Sequence, residues 1–295
     1  MRLDDLDDGN LDDDVNANYQ RGGGGRFGFP SGGGGLPLGG RMGCGTLVIA
    51  LIAALVFGVN PASILGDGQA PPTQQVQAPS ASADGSACNS NEATKFSCLV
   101  LISNNNTWAK RFTDGSYRKP GIEFYDQNGQ SGCGAAQSAM GPFYCPADQK
   151  IYIDTTFYDE LRTKFGAAGD FAQAYVIAHE VGHHLQYLTG RAEQVQKAQA
   201  RASRAEGNRY QVAMELQADC YAGVWAALNK DRMDPGDVEE GLRAAHQIGD
   251  DVLQRASQGV VVPESFTHGS AEQRMAALKL GLSTGNEDQC EVFFR

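Results

Sequence analysis

The feature that most limits how this chain can fold is a five-residue pattern, His179-Glu180-Val181-Gly182-His183. On an α-helix, residues four apart share a face, so both imidazoles can reach one metal ion while Glu180, one step round, addresses a water beside it. The pattern demands a helix here and a further ligand brought to that helix from elsewhere in the chain. Three of the five histidines fall in this stretch, His184 included. His184 points about 100° away from its two neighbours and reads as a structural or supporting residue. His246 has no context that suggests a role.

A catalytic zinc ion takes three protein ligands and keeps a fourth position open for water. The third ligand is expected from Glu215, in Glu215-Leu216-Gln217-Ala218-Asp219. Glu215 and Asp219 are again four apart, so one helix face offers a ligand carboxylate and, behind it, an acceptor for the outer N–H of one of the two histidines. A solvated acidic face is the competing reading of such a pair. Cys220, Tyr221, Ala222 and Val224 beside it indicate a buried segment, where carboxylates need partners.

Segments 171–188, 191–206, 208–228, 235–256 and 271–282 carry helical patterning. Asp170 with Gln173 suggests a capping box, Gly190 a helix stop, and Asp234-Pro235 a helix start. Ahead of them CLVLI, IEFYD and KIYID, between residues 95 and 154, read as short strands among Gly, Asn and Asp. A small sheet followed by helices predicts an α+β domain over residues 94–295.

The first 41 residues hold seven aspartates by position 14 and then two glycine runs, a composition expected to form a disordered tail. Residues 42–59 are uncharged and end in TLVIALIAALVFGV, which predicts a single transmembrane helix. Arg41 abuts this run and the next basic residue is Lys95, so the expected orientation has the N-terminus cytoplasmic and the domain outside the cytoplasm. Residues 60–93, rich in Pro, Gln, Ala and Ser, read as a flexible linker. Six of the seven cysteines follow the apolar run, an even number that suggests disulfides in an exported domain. Cys133 with Cys145 is the first pairing expected, because a Gly- and Pro-containing stretch that can turn lies between them. A net charge of −11 and the lack of a basic cluster argue against a nucleic-acid partner.

HEVGHH and ELQADCYAGVW, with GPFYCPADQKIYIDTTFYDEL and GDFAQAYVIAHE before them, resemble the bacterial family of neutral zinc metallopeptidases, a membrane-anchored group of gluzincin type. The resemblance covers roughly residues 94–295. It implies a zincin-like fold, a Zn2+ cofactor, and a metalloendopeptidase acting on peptide or protein substrates. It also implies that His179, His183 and Glu215 bind the metal, that Glu180 serves as general base, and that Asp219 orients His179. The stretch from Thr267 to Arg274 is similar to a motif whose histidine, here His268, stabilises the tetrahedral intermediate; Gly269 stands where that motif has proline. Tyr187, Tyr210 and Tyr221 are other candidates for the same task. Strand Lys150–Asp154 is the edge expected to pair with an extended substrate. Two rival readings are a zinc-stabilised envelope scaffold without activity and a zinc amidase acting on cell-wall peptides. Glu180 argues against the scaffold, which has no use for a non-ligating glutamate beside its first histidine.

Overall fold

The computed structural model describes residues 1–20, 86–163 and 169–295. Its helices are α1 (Leu11–Asp14), α2 (Glu92–Arg111), α3 (Phe157–Thr163), α4 (Asp170–Leu188), α5 (Arg191–Gln199), α6 (Arg204–Leu228), α7 (Asp237–Gln247), α8 (Asp250–Gln258) and α9 (Ala271–Thr284). The strands are β1 (Ala17–Gln20), β2 (Gly121–Tyr125), β3 (Asn128–Ser131), β4 (Gly134–Gln137), β5 (Phe143–Cys145) and β6 (Lys150–Asp154). One sheet runs β1-β2-β6-β5, parallel except for β5, and β3 with β4 forms a separate hairpin. Strand β6 is therefore interior, and the edge beside it is β5, which corrects the expected substrate edge.

The N-terminal segment overturns the expected membrane topology. Met1, Leu3, Leu11 and Val15 are buried, and β1 continues the main sheet from Ala17 opposite Ile122 to Gln20 opposite Tyr125. Three of its aspartates hold it to the rest of the domain: Asp7 pairs with Lys95 at 2.6 Å, Asp5 with Arg232, and Asp12 accepts from the N–H groups of Ala87 and Cys88 at 3.1 and 2.7 Å. Composition suggested disorder, but four spaced apolar side chains suffice once a preformed core and cationic partners receive them. A single crossing at 42–59 would put Met1–Gln20 and the rest of the domain on opposite faces of a bilayer, whereas here they share one core. Among the described residues no helix is long and apolar enough to cross a membrane, and 42–59 itself lies outside them. The fold class is α+β, and the single-pass placement, with N-terminus cytoplasmic and domain outside, is withdrawn.

The expected tail residues 21–41 and linker residues 60–85 lie outside the described residues; the described chain from Ser86 includes a segment ahead of the expected boundary at 94, and CLVLI lies inside α2 rather than in a strand. There Asn91 and Thr94 form a reciprocal capping box, and burial along the helix outweighs the strand preference of a β-branched run. The expected 191–206 helix breaks after Gln199, and Ser203 with Glu206 caps α6 anew. Likewise 235–256 divides at Gly249, and α7 starts at Asp237 rather than at Pro235. Asp170 makes no side-chain cap; it pairs instead with the Met1 ammonium at 2.7 Å. Among the described residues three disulfides, Cys88–Cys98, Cys133–Cys145 and Cys220–Cys290, tie α2 to its lead-in, the β3–β4 turn to β5, and α6 to the C-terminal 3-10 segment Glu287–Phe294.

Two close approaches set the site. A Cβ on Gly182 of α4 would lie 2.8 Å from Cα of Ala218, so α4 and α6 touch backbone to backbone between the two charged motifs. On the far side of α6, a Cβ on Gly223 would meet the Leu278 carbonyl at 2.2 Å and one on Gly281 the Cys220 carbonyl at 2.0 Å, which presses α9 equally close. These contacts bring α4, α6 and α9 together around a handful of polar side chains.

Candidate metal centre

Helix α4 presents His179 and His183 towards α6, and α6 returns Glu215. His179 Nε2 lies 3.2 Å from one Glu215 oxygen and His183 Nε2 3.7 Å from the other. One ligand atom from each of the three residues lies within 4.8 Å of the others. Tetrahedral zinc with bonds near 2.0–2.1 Å requires donor separations of about 3.3 Å. Two imidazole nitrogens and a carboxylate also form a donor set that suits zinc. The residues therefore fit the ion.

The outer nitrogens of both imidazoles are engaged. His179 Nδ1 meets Asp219 Oδ1 at 2.8 Å, and His183 Nδ1 meets Gln186 Oε1 at 2.9 Å. Each ring thus donates outward from Nδ1 and turns Nε2 towards Glu215, with His179 Nε2 in hydrogen-bond reach of that carboxylate. Behind Asp219 stands Arg274 of α9, 3% exposed, whose Nε and Nη2 donate to the two Asp219 oxygens at 2.9 Å each. The Tyr175 hydroxyl donates to Asp219 at 2.5 Å, and Gln211 Nε2 donates to Glu215 at 2.9 Å. Sequence reasoning gave no role to Gln186, Tyr175, Gln211 or Arg274. Each of the first three lies three or four residues from a motif residue on the same helix, a spacing that could have nominated it.

Glu180 is buried, on the side of α4 that faces edge strand β5. Burial pushes its carboxyl up, against the pull of His183, His179 and the Tyr144 N–H. Burial likewise opposes charge on Glu215, yet the imidazoles of His183 and His179, and more weakly His268, hold it well below the usual carboxylate range. A Cβ on Gly269 would lie 3.3 Å from Val212 and 3.4 Å from Leu216, so the neighbouring His268 sits against α6, the helix that carries Glu215. Its Nδ1 is taken by Asp250 Oδ1 at 3.2 Å, and Asp250 Oδ2 also collects the N–H groups of Thr267, His268 and Gly269. His184 is held elsewhere: Nε2 donates to the Arg118 carbonyl at 2.6 Å and Nδ1 meets the Tyr144 hydroxyl at 2.9 Å, with burial lowering its pKa to about 4. It fastens α4 to β5 as a neutral ring. Of the tyrosine candidates, Tyr221 is buried edge-on against Trp108, while Tyr187 and Tyr210 are exposed.

Burial opposes charge on His179, but Asp219 and Glu215 overcome it and raise its pKa from 6.5 to about 10. A raised folded-state value gives stabilisation that is complete below pH 6.5 and lost as pH rises towards 10. Zinc competes for that ring only in its neutral form. Chelator-treated protein should therefore lose melting temperature between pH 6.5 and 10, and over the same interval zinc affinity should rise. A melting temperature of the metal-free protein that is flat across this interval, with zinc affinity independent of pH, would remove this coupling.

Residues 7–293 match the model of a family described as "putative neutral zinc metallopeptidase". YpfJ of Escherichia coli strain K12, whose name calls it uncharacterized, is 46% identical over 275 residues, covering 92% of this chain and 90% of its own. Rv2575 of Mycobacterium tuberculosis and Mb2605 of Mycobacterium bovis, also named as uncharacterized, are each 38% identical over 257 residues, covering 81% of this chain and 85% of theirs. No solved structure matches the chain. With a match along nearly its whole length, the chain belongs to the neutral zinc metallopeptidase family.

Proposed function

We propose that this chain is a zinc endopeptidase in which His179, His183 and Glu215 hold the metal and Glu180 is the general base. The observation that carries the reading is the convergence of those three donors, with both imidazoles already oriented from behind and a buried, non-ligating glutamate beside the first. When bound, zinc acidifies its water and polarises the scissile carbonyl. The Glu180 carboxylate takes the proton from the attacking water and returns it to the leaving amine. Asp219 keeps His179 Nδ1 protonated and its ring fixed, with Arg274 neutralising the buried carboxylate. His268, turned by Asp250 at Nδ1, donates from Nε2 to the oxygen that gains charge when its ring carries both protons. An extended peptide pairs with β5, whose Tyr144 N–H lies against Glu180, so strand addition delivers the scissile bond to the base.

Purified full chain loaded with zinc should cleave members of a broad peptide library, lose that activity to a chelator, and regain it on restoring zinc. Cleavage that survives complete metal removal would overturn the reading.

A further inference from the structure

Behind His183 a chain of buried amides leads away from the metal site to the C-terminal segment. Gln186 and Gln217 are both fully buried, one on α4 and one on α6. Gln186 Nε2 donates to the Met214 carbonyl at 2.7 Å and to Gln217 Oε1 at 3.1 Å. Gln217 Nε2 donates to Glu291 Oε1 at 2.9 Å and, at 3.5 Å, to the Cys290 carbonyl. Glu291 is further paired with Arg191, whose guanidinium stacks 4.5 Å from the Phe294 ring centre. The Cys220–Cys290 disulfide fixes this segment to α6 beside Gln217.

The ends of the chain dictate its polarity. A carboxylate and two carbonyls only accept, so the NH2 of Gln217 must face Glu291, and its oxygen must face Gln186. The NH2 of Gln186 is then committed to Gln217 and Met214, and only its oxygen remains for His183. That oxygen accepts, so His183 must carry a proton on Nδ1, which leaves Nε2 as the nitrogen that can bind a metal. Reversing any one amide would set donor against donor or oxygen against oxygen in a site without water-exposed alternatives.

We propose that Gln186 is a positioning residue for His183, and that the Gln186–Gln217–Glu291 relay makes zinc affinity depend on the docked C-terminal segment. The proposal rests on the reading of His183 as a zinc ligand. The relay acts through hydrogen-bond direction, so its members should be coupled to one another rather than independent.

The test is zinc affinity of the full chain by chelator competition, with intact folding checked by circular dichroism. Gln186→Leu should weaken zinc by about 10- to 100-fold, as changes behind a ligand do. Glu291→Ala, at a half-exposed carboxylate, should weaken it by a few fold, and Glu291→Gln, whose amide oxygen still accepts from Gln217, should restore it. In the Gln186→Leu background Glu291→Ala should add nothing, because the connection is already cut. Glu291→Ala leaving zinc affinity unchanged, or adding its full effect in the Gln186→Leu background, would overturn the relay. His183→Ala separates the two readings: if it leaves zinc affinity unchanged the metal-site reading has failed, whereas if it abolishes binding while Gln186→Leu and Glu291→Ala do nothing, only the relay has.

Discussion

Replacing Glu180 with glutamine is expected to lower peptide hydrolysis by about 10²- to 10⁴-fold, the usual contribution of a positioned general base, while zinc content and melting temperature stay near wild type. The separation follows from geometry. Glu180 is absent from the hydrogen bonds that order His179, His183 and Glu215, and its own environment is a buried wall made by the two imidazoles and the Tyr144 N–H of β5. The amide is nearly the same size and can still accept from that N–H, so packing is kept and only the exchangeable proton site is lost. Burial raises the Glu180 carboxyl, which moves a carboxylate towards the range in which a base both accepts and returns a proton near neutral pH. Unchanged turnover in Glu180→Gln would exclude Glu180 as the base and return the scaffold reading to contention.

The second large effect concerns stability. Arg274→Met is expected to cost about 3–5 kcal/mol, because it leaves a fully buried aspartate charged and without the guanidinium that donates to both its oxygens. Arg274 donates twice to Asp219, which is 0% exposed; burial there works against charge, and Arg274 with His179 still brings the pKa from 3.8 to about 2. A lowered folded-state value stabilises above pH 3.8 and is lost as pH falls through 2, so the wild type keeps this contribution across all but strongly acid conditions. The loss should appear as a lower urea midpoint with an unchanged slope. Arg274→Met combined with Asp219→Asn should regain much of it, since removing both charges leaves no orphan. An additive double mutant, or an undisturbed midpoint in Arg274→Met, would show that the pair carries no such load.

How much of this was legible in the sequence divides along a physical line. His179, His183, Glu215 and Asp219 could be nominated because four-residue spacing is a property of a single helix, and each pair lies on its own helix. Strands β2 and β6 were legible as short β-prone runs bounded by Gly, Asn and Asp. Several of the misreadings come from relations between distant segments. CLVLI carries a strand composition, yet the capping box before it and the core around it make it helical. The acidic N-terminus has the composition of a tail, but Lys95, Arg232 and the sheet edge at β2 lie far along the chain and receive it. Strand order decides which edge is free, and local pattern says nothing of order, so β6 was mistaken for β5. Arg274 acts through a partner 55 residues away, so its own sequence neighbourhood gave it no role, whereas Gln186 lies three residues from His183 and only its onward partner, 31 residues away, was out of reach.

The central claim is that zinc sits between α4 and α6 on two imidazoles and one carboxylate. Zinc-edge anomalous diffraction from crystals of the zinc-loaded full chain tests it most directly. The expected result is one strong peak bounded by His179 Nε2, His183 Nε2 and Glu215, at bond lengths of about 2.0–2.2 Å. A peak located instead at the acidic cluster of Asp170, Asp237 and Glu240, or no peak in protein shown by metal analysis to carry zinc, would contradict the account.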